Sequence, residues 1–306
     1  MDKDWENILA VQRMQDYIVN HKQEEITLYQ LARESGYSPW YATKIFKQYL
    51  GKSPFAYIRA LKLSEAALKI RDEEVKILDI ALDFQFDFHE GFSRAFKKSF
   101  GVSPKKYQKD SMPIPLYKPS PVKEEYITMK KIDEGILARP RILKYNYTTQ
   151  IMQFPKRKLI FKRGKAATNY FEYELENEGL CQNVWGTLCS IKEALNEPMG
   201  IWFNSNYRKE GTSIYVQGVE VPLDYQGKLP EGFECIELPE QLVLIFQSKP
   251  YEEEDFMEEI LDLQNYIRAF NPNELGYEWD EEGYCFQLEP QGERGYIEGR
   301  SIKCVK

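Results

Sequence analysis

Phe88-His89-Glu90-Gly91-Phe92-Ser93-Arg94-Ala95-Phe96-Lys97-Lys98-Ser99-Phe100-Gly101-Val102-Ser103-Pro104 decides how the first part of the chain is read, because much of it occurs twice. Fifty residues earlier stands Ser38-Pro39-Trp40-Tyr41-Ala42-Thr43-Lys44-Ile45-Phe46-Lys47-Gln48-Tyr49-Leu50-Gly51-Lys52-Ser53-Pro54. Phe46 and Phe96, Lys47 and Lys97, Gly51 and Gly101, Ser53 and Ser103, and Pro54 and Pro104 fall in register. Upstream, Leu31-Ala32 matches Ile80-Ala81, with one residue more in the second copy's turn. Two copies do not make a solenoid. They describe a duplicated helix–turn–helix, joined by a helix from about Pro54 to Arg71.

Working outward, residues 5–109 read as helical almost throughout. Trp5, Ile8, Leu9, Met14, Tyr17 and Ile18 follow amphipathic spacing. Thr27 to Gln30 fits a capping box. Ser38-Pro39, Ser53-Pro54 and Ser103-Pro104 each place a Ser N-cap before a Pro at the first helical position. Asp87 and Glu90 are candidates to cap another start. About seven short helices are expected. Met112-Pro113-Ile114-Pro115, Pro119 and Pro121 then break the pattern into a stiff linker.

Beyond it, strands and helices mix. Lys158–Ala166, Gly200–Phe203 and Thr212–Pro222 are strand-like, with a helix over Gly179–Asn196. Phe233–Ser248 is β-rich, Glu252–Phe270 helical, and Gly283–Glu289 and Gly295–Lys303 strands. The order strand–helix–strand–strand occurs twice, which implies an α+β domain of two similar halves with a cleft between them. The expected organisation is multi-domain: an all-helical double helix–turn–helix domain over 1–110, a linker over 111–125 and the α+β domain over 126–306.

The 306 residues carry 41 Lys+Arg against 48 Asp+Glu, a net charge of −7. That balance is uneven: residues 1–110 carry a charge of +2 and the remainder −9. A mildly basic helical part suits a polyanion partner. The longest apolar run, Leu242 to Phe246, falls far short of the roughly twenty residues of a membrane span. Met1 to Glu6 shows no basic or apolar leader pattern. A cytoplasmic, nucleoid-associated protein without membrane contact is expected. The five cysteines form no C-x-x-C pair, and His21 and His89 are the only histidines. No metal, cofactor or disulfide is expected.

In a helix–turn–helix the second helix lies in the major groove and the first crosses the backbone. Residues 39–50 offer Ile45, Phe46 and Tyr49 inward, with Trp40, Tyr41, Thr43 and Lys44 outward beside the cap Ser38. The second copy offers Phe92, Ala95, Phe96 and Phe100 inward, with His89, Glu90, Ser93 and Arg94 outward. Arg reads guanine and Glu accepts from cytosine. Lys47, Lys52, Lys97 and Lys98 follow, where phosphates pass. Any single lysine on a helix face is ordinarily just solvated. Matching offsets in two copies are what give these weight. The expected partner is double-stranded promoter or operator DNA.

These residues resemble the DNA-binding domain of AraC/XylS-type transcriptional regulators. The resemblance rests on Leu31-Ala32, Gly36-Tyr37-Ser38, Phe46-Lys47, Gly51-Lys52-Ser53-Pro54 and Tyr57-Ile58-Arg59. In the second unit it rests on Ile80-Ala81, Phe86, Phe92 to Lys98, Phe100 to Pro104 and Tyr107. It implies two recognition helices entering successive major-groove segments, and RNA polymerase as a partner. A connecting helix of about 18 residues spans ~27 Å, compatible with a groove repeat of ~34 Å once helix widths are added. One departure is Gln85, where the family usually has Gly before the Phe of the second turn.

The mixed part shows no G-x-S-x-G, no Gly-rich phosphate loop and no His after residue 89, so it is not read as an enzyme. It is rich in aromatics, among them Tyr170, Trp185, Trp202, Tyr215, Phe286 and Tyr296. An aromatic cleft with an acidic group suits an apolar cation. The order of elements after such a DNA-binding domain resembles the GyrI-like effector-binding domain. That likeness rests on Tyr215 to Val221, Ile236 to Phe246, the following helix and Phe286-Gln287-Leu288-Glu289-Pro290. It implies a small-molecule effector, with a hydrophobic cation one candidate, and a pocket Glu. Gln287 stands where that Glu is expected, with Glu289 two residues on. The alternatives are a constitutive activator whose second domain is a protein-interaction module, and a second domain that hydrolyses or sequesters toxic electrophiles.

Overall fold

A computed structural model describes residues 3–84, 86, 89–133, 147–177, 181–252 and 255–305. They divide into two compact units.

The first unit is helical: α1 (Lys3–Asn20), α2 (Leu28–Ser35), α3 (Pro39–Leu50), α4 (Pro54–Asp72), α5 (Ile77–Asp83), α6 (His89–Phe100) and α7 (Pro104–Asp110). Local chemistry sets the starts. Thr27 Oγ1 accepts from the Gln30 amide while the Thr27 amide donates to Gln30 Oε1 at 2.7 Å, the expected capping box. Ser38 and Ser103 accept from the amides of Tyr41 and Lys106. Ser53 occupies its N-cap position without a side-chain cap bond. Gly51 and Gly101 end α3 and the duplicate α6 with φ of 66° and 73°, left-handed values that favour glycine. Ile8, Val11, Met14 and Ile18 pack with Leu31, Ile45, Phe46 and Tyr57 around the first helix–turn–helix. The second is an aromatic stack: Phe92 and Phe96 lie 5.7 Å apart, and Phe96 meets Phe100 and Tyr107 at 4.7 and 5.7 Å.

Side-chain hydrogen bonds hold the expected linker at several points, and a helix begins before its expected end at Glu125. Ile114 is buried in the second unit, its amide donating to Ser190 Oγ at 2.9 Å. Three residues on, the Tyr117 amide donates to Ser64 Oγ at 2.7 Å within the first unit. Gln15 donates to the Ser120 carbonyl and accepts from the Val122 amide. There α8 (Val122–Asp133) begins, and Val122 and Tyr126 pack into the α1 core. Backbone groups without a strand or helix partner need side-chain partners when buried, and the glutamine and serines supply them.

Among the described residues the second unit holds one antiparallel sheet of nine strands: β1 (Thr148–Phe154), β2 (Arg157–Arg163), β3 (Met199–Trp202), β4 (Tyr215–Pro222), β5 (Glu234–Leu238), β6 (Gln241–Gln247), β7 (Tyr277–Trp279), β8 (Cys285–Leu288) and β9 (Ile297–Cys304). Its order is β1-β6-β9-β8-β3-β4-β2-β5, with β7 beside β9. The order reads the same from either end once β1 is exchanged with β5, β6 with β2, β9 with β4 and β8 with β3. The halves therefore join edge to edge through β3 and β8 in one sheet.

Helices α9 (Tyr170–Glu176), α10 (Cys181–Cys189) and α11 (Phe256–Ala269) complete it. The expected helix over 179–196 stops at Cys189, where Ser190 Oγ donates back to the Thr187 carbonyl. Phe233–Ser248 is two strands broken at Pro239, which has no amide to donate. Strand alternation sorts the side chains. Leu159, Met199, Ile201, Val216, Val243 and Phe286 form the core on one face. On the other face, Ile160 and Val219 pack with Val184 and Leu188 of α10. Leu244, Phe246 and Ile302 pack there with Leu263 and Ile267 of α11.

Candidate nucleic-acid interface and ligand face

The apolar stripes fix what α3 and α6 present. On α3, Ala42, Ile45 and Phe46 are buried. Trp40 stands 72% exposed, with the Lys44 ammonium 5.5 Å from its ring. Thr43 is half-buried and its hydroxyl bonds back to the Pro39 carbonyl. Lys47 is exposed. Tyr41 is turned inward from its expected outward position: its ring meets Tyr37 edge-on at 4.8 Å and its hydroxyl donates to Asn7 Oδ1. A phenol ring gains more by packing than by hydration, and α1 offers the polar partner. Lys52 lies half-buried with its ammonium 5.1 Å from the Tyr117 ring.

On α6, Phe92, Phe96 and Phe100 are buried. Glu90, Arg94, Lys97 and Lys98 are exposed, and Ser93 is half-buried. Glu90 and Arg94 share one helix face four residues apart. Among the described residues no carboxylate pairs with Arg94. Gln85, Asp87 and the His89 side chain lie outside the described residues. Tyr29, exposed on α2, was not singled out by the sequence.

In the second unit, alternation brings Tyr215, Gln287 and Tyr296 together. Gln287 Nε2 donates to the Tyr215 hydroxyl at 3.2 Å, and the Tyr296 hydroxyl lies 2.9 Å from Gln287 Oε1. Trp202 and Tyr173 pack against Tyr215, and Tyr170 joins the same cluster. The Tyr170 hydroxyl donates to Glu174 Oε1 at 2.6 Å. Burial raises the Glu174 carboxyl above its usual pKa, and that bond only partly offsets it.

The face also holds an acid outside the expected set. Glu298 is buried, 3.1 Å from the Tyr296 hydroxyl, and accepts from Arg300 at 3.0 and 3.2 Å. The Arg300 guanidinium lies 6.0 Å from the Trp279 ring. Burial and then the Glu298 charge push the Tyr296 phenol well above its usual pKa. Three of the expected ligand residues stand apart. Phe286 points to the opposite face, 6.3 Å from Phe154. Trp185 is half-buried on α10, outside the tyrosine cluster. Glu289 lies exposed past the end of β8, its carbonyl accepting from Arg294. Tyr296-x-Glu298-x-Arg300 is itself a period-two pattern on one strand face, and is the signal that marks Glu298.

A helix-turn-helix domain model matches residues 31–110. Over 95 residues the chain is 39% identical to the transcriptional regulator Rob of Salmonella typhimurium, a match covering 31% of this chain and 33% of Rob. It is 31% identical over 104 residues to the multiple antibiotic resistance protein MarA of Escherichia coli, covering 34% of this chain and 82% of MarA. Among solved structures, the C-terminal domain of the response regulator AraT from Geobacillus stearothermophilus is 35% identical, with a TM-score of 0.31 over 33% of this chain and 84% of that one. The match thus spans about a third of Rob but most of MarA. Through its N-terminal helical unit, the chain belongs to the AraC-type helix-turn-helix family.

Proposed function

We propose that the chain is a transcriptional regulator that reads double-stranded promoter or operator DNA with α3 and α6, and engages RNA polymerase there. One observation carries this. Two duplicated helices each bury an apolar stripe and present charged or stackable side chains, Trp40 and Lys44 on one and Glu90 and Arg94 on the other. Lys47, Lys97 and Lys98 supply phosphate contacts, which make binding salt-dependent. Rob and MarA carry the same kind of domain, and Rob is named a transcriptional regulator. The place of action is the cytoplasm, at the nucleoid.

The second unit is a binding module for a small effector, on the face formed by Tyr215, Gln287, Tyr296 and Glu298. Its aromatic walls and buried carboxylate support the GyrI-like reading. A hydrophobic cation is one effector class, in which case it competes with Arg300 for Glu298. The Arg300–Glu298 pair also favours a second reading, a protein-interaction module that needs no cation. No catalytic role is proposed.

The test is selection of duplex fragments by the purified protein at two salt concentrations. A discrete asymmetric motif spanning about two helical turns is the expected result. Recovery of non-specific, salt-labile fragments alone overturns sequence-specific reading.

A further inference from the structure

The second unit holds a cavity away from the tyrosine face. It is about 470 Å³ and lies where the Met112–Pro115 strap, α10 and the loop before β5 come together. Its apolar wall comes from Met112, Pro113, Pro115, Val184, Leu229 and Phe233. That volume falls in the range of small-molecule sites. The polar groups are unequal in charge. Lys162, Lys228 and Glu231 line it, with the neutral Asn183 and Thr187 on α10. Among the described residues neither lysine pairs with a carboxylate. The Lys162 ammonium instead lies 5.8 Å from the Phe233 ring.

We infer that this cavity is a second effector site, for an anion carried on a flat apolar body. The body fills the wall of prolines, Met112 and Phe233, while the anionic group meets Lys162 and Lys228. The strap forms part of the wall, so the ligand bears on the segment whose Ile114 amide is bonded to Ser190 at the end of α10. An occupied cavity therefore holds the strap down. The inference is independent of any ligand on the Tyr215 face.

The test is a fluorescence titration of the full chain with two probes: anilinonaphthalene sulfonate, and phenylnaphthylamine, which has the same rings without the anion. The sulfonate is expected to bind about tenfold tighter than the neutral dye. Lys162→Gln with Lys228→Gln removes that advantage and leaves the neutral dye unchanged. Glu231→Gln acts in the opposite direction and tightens the sulfonate about twofold. Asn183→Trp, placed on the exposed side of α10, fills the mouth and weakens both dyes. Hydrogen exchange at the Ile114 amide slows when the sulfonate is bound. Lys228→Glu is the fallback if the double variant fails to fold, since Lys228 is exposed. Equal affinity for the two dyes, or sulfonate affinity unaffected by either lysine variant, overturns the site.

Discussion

Arg157 and Gln241 hold matching positions in the two halves of the sheet: each opens its strand two residues after a proline, and each bonds to the neighbouring strand. Arg157 Nε donates to Glu220 Oε1 at 2.6 Å, and Gln241 Nε2 donates to the Ser301 hydroxyl. Tyr284 touches both arrangements, its hydroxyl on Glu220 at 2.6 Å and its amide on Ser301 Oγ at 3.1 Å. One half thus uses a buried ion pair where the other uses two neutral groups.

That difference sets the first expectation. Arg157 and Glu220 are 1% and 2% exposed, so losing one partner strands a charge in the core. Glu220→Leu alone should cost about 3–5 kcal/mol, while Arg157→Leu with Glu220→Leu should cost much less than the sum of the single changes. Urea unfolding of the single and double variants measures this. A strictly additive result would contradict it.

Gly51 and Gly101 make a paired backbone test. Both have positive φ, and an added Cβ meets nothing within 4 Å at either. Alanine should therefore cost only backbone strain, about 1 kcal/mol at each site, and asparagine less. Denaturation midpoints of the two alanine variants should shift alike. Unequal shifts would show that the duplicated turns are not equivalent.

Glu174 gives a pH dependence. Its folded carboxyl holds its proton above the usual 4.5, so the folded chain binds more protons than the unfolded chain in the interval above that value. Stability from this group is present at low pH and is lost as pH rises through the raised value. Glu174→Gln should stabilise the protein at about pH 8, with the gain fading toward about pH 4. Thermal melts across that range decide it. A pH-independent difference would mean that the shift is not felt in folding.

Arg94 and Lys98 should separate in a binding assay on the proposed DNA target. Arg94→Ala is expected to cost about 1–3 kcal/mol on a specific site and to relax the preference at one base step. Lys98→Ala should weaken all duplexes alike and flatten the salt slope. Equal loss from both variants on specific and random DNA would remove Arg94 from base reading.

The cysteines offer a chemical check. Burial pushes the Cys285 thiol up to about 11, whereas Cys304 is exposed. At about pH 8 Cys304 should alkylate readily and Cys285 only on unfolding, because the thiolate is the nucleophile. Mass mapping after brief treatment with iodoacetamide distinguishes them.

Much of the helical unit was legible because its signals are local. The serine–proline starts, the Thr27 box and the repeated Phe-Lys steps fix α2, α3, α4, α6 and α7 without reference to the rest of the chain. Tyr41 departs from its expected outward position because its partner, Asn7, lies far away in sequence. The second unit hides more, because strand faces are set by distant pairings. In β1 every residue before Phe154 is exposed, so no buried alternation announces it. Glu298 is not expected at the site, because a charged residue in a strand ordinarily faces solvent. Only the pairing with β8 shows that it lies beside Gln287.

The mirrored strand order has a practical consequence for anyone dividing this molecule. β1 precedes β2 in sequence but pairs with β6, and β5 precedes β6 but pairs with β2. Each half has therefore lent its leading strand to the other, like two hands clasped at the wrist. A cut at Lys156 would strip an edge from the C-terminal half and leave the half next to the cut intact. Neither half is a separable piece, and the shortest fragment with the sheet complete must start before Thr148 and run through Cys304.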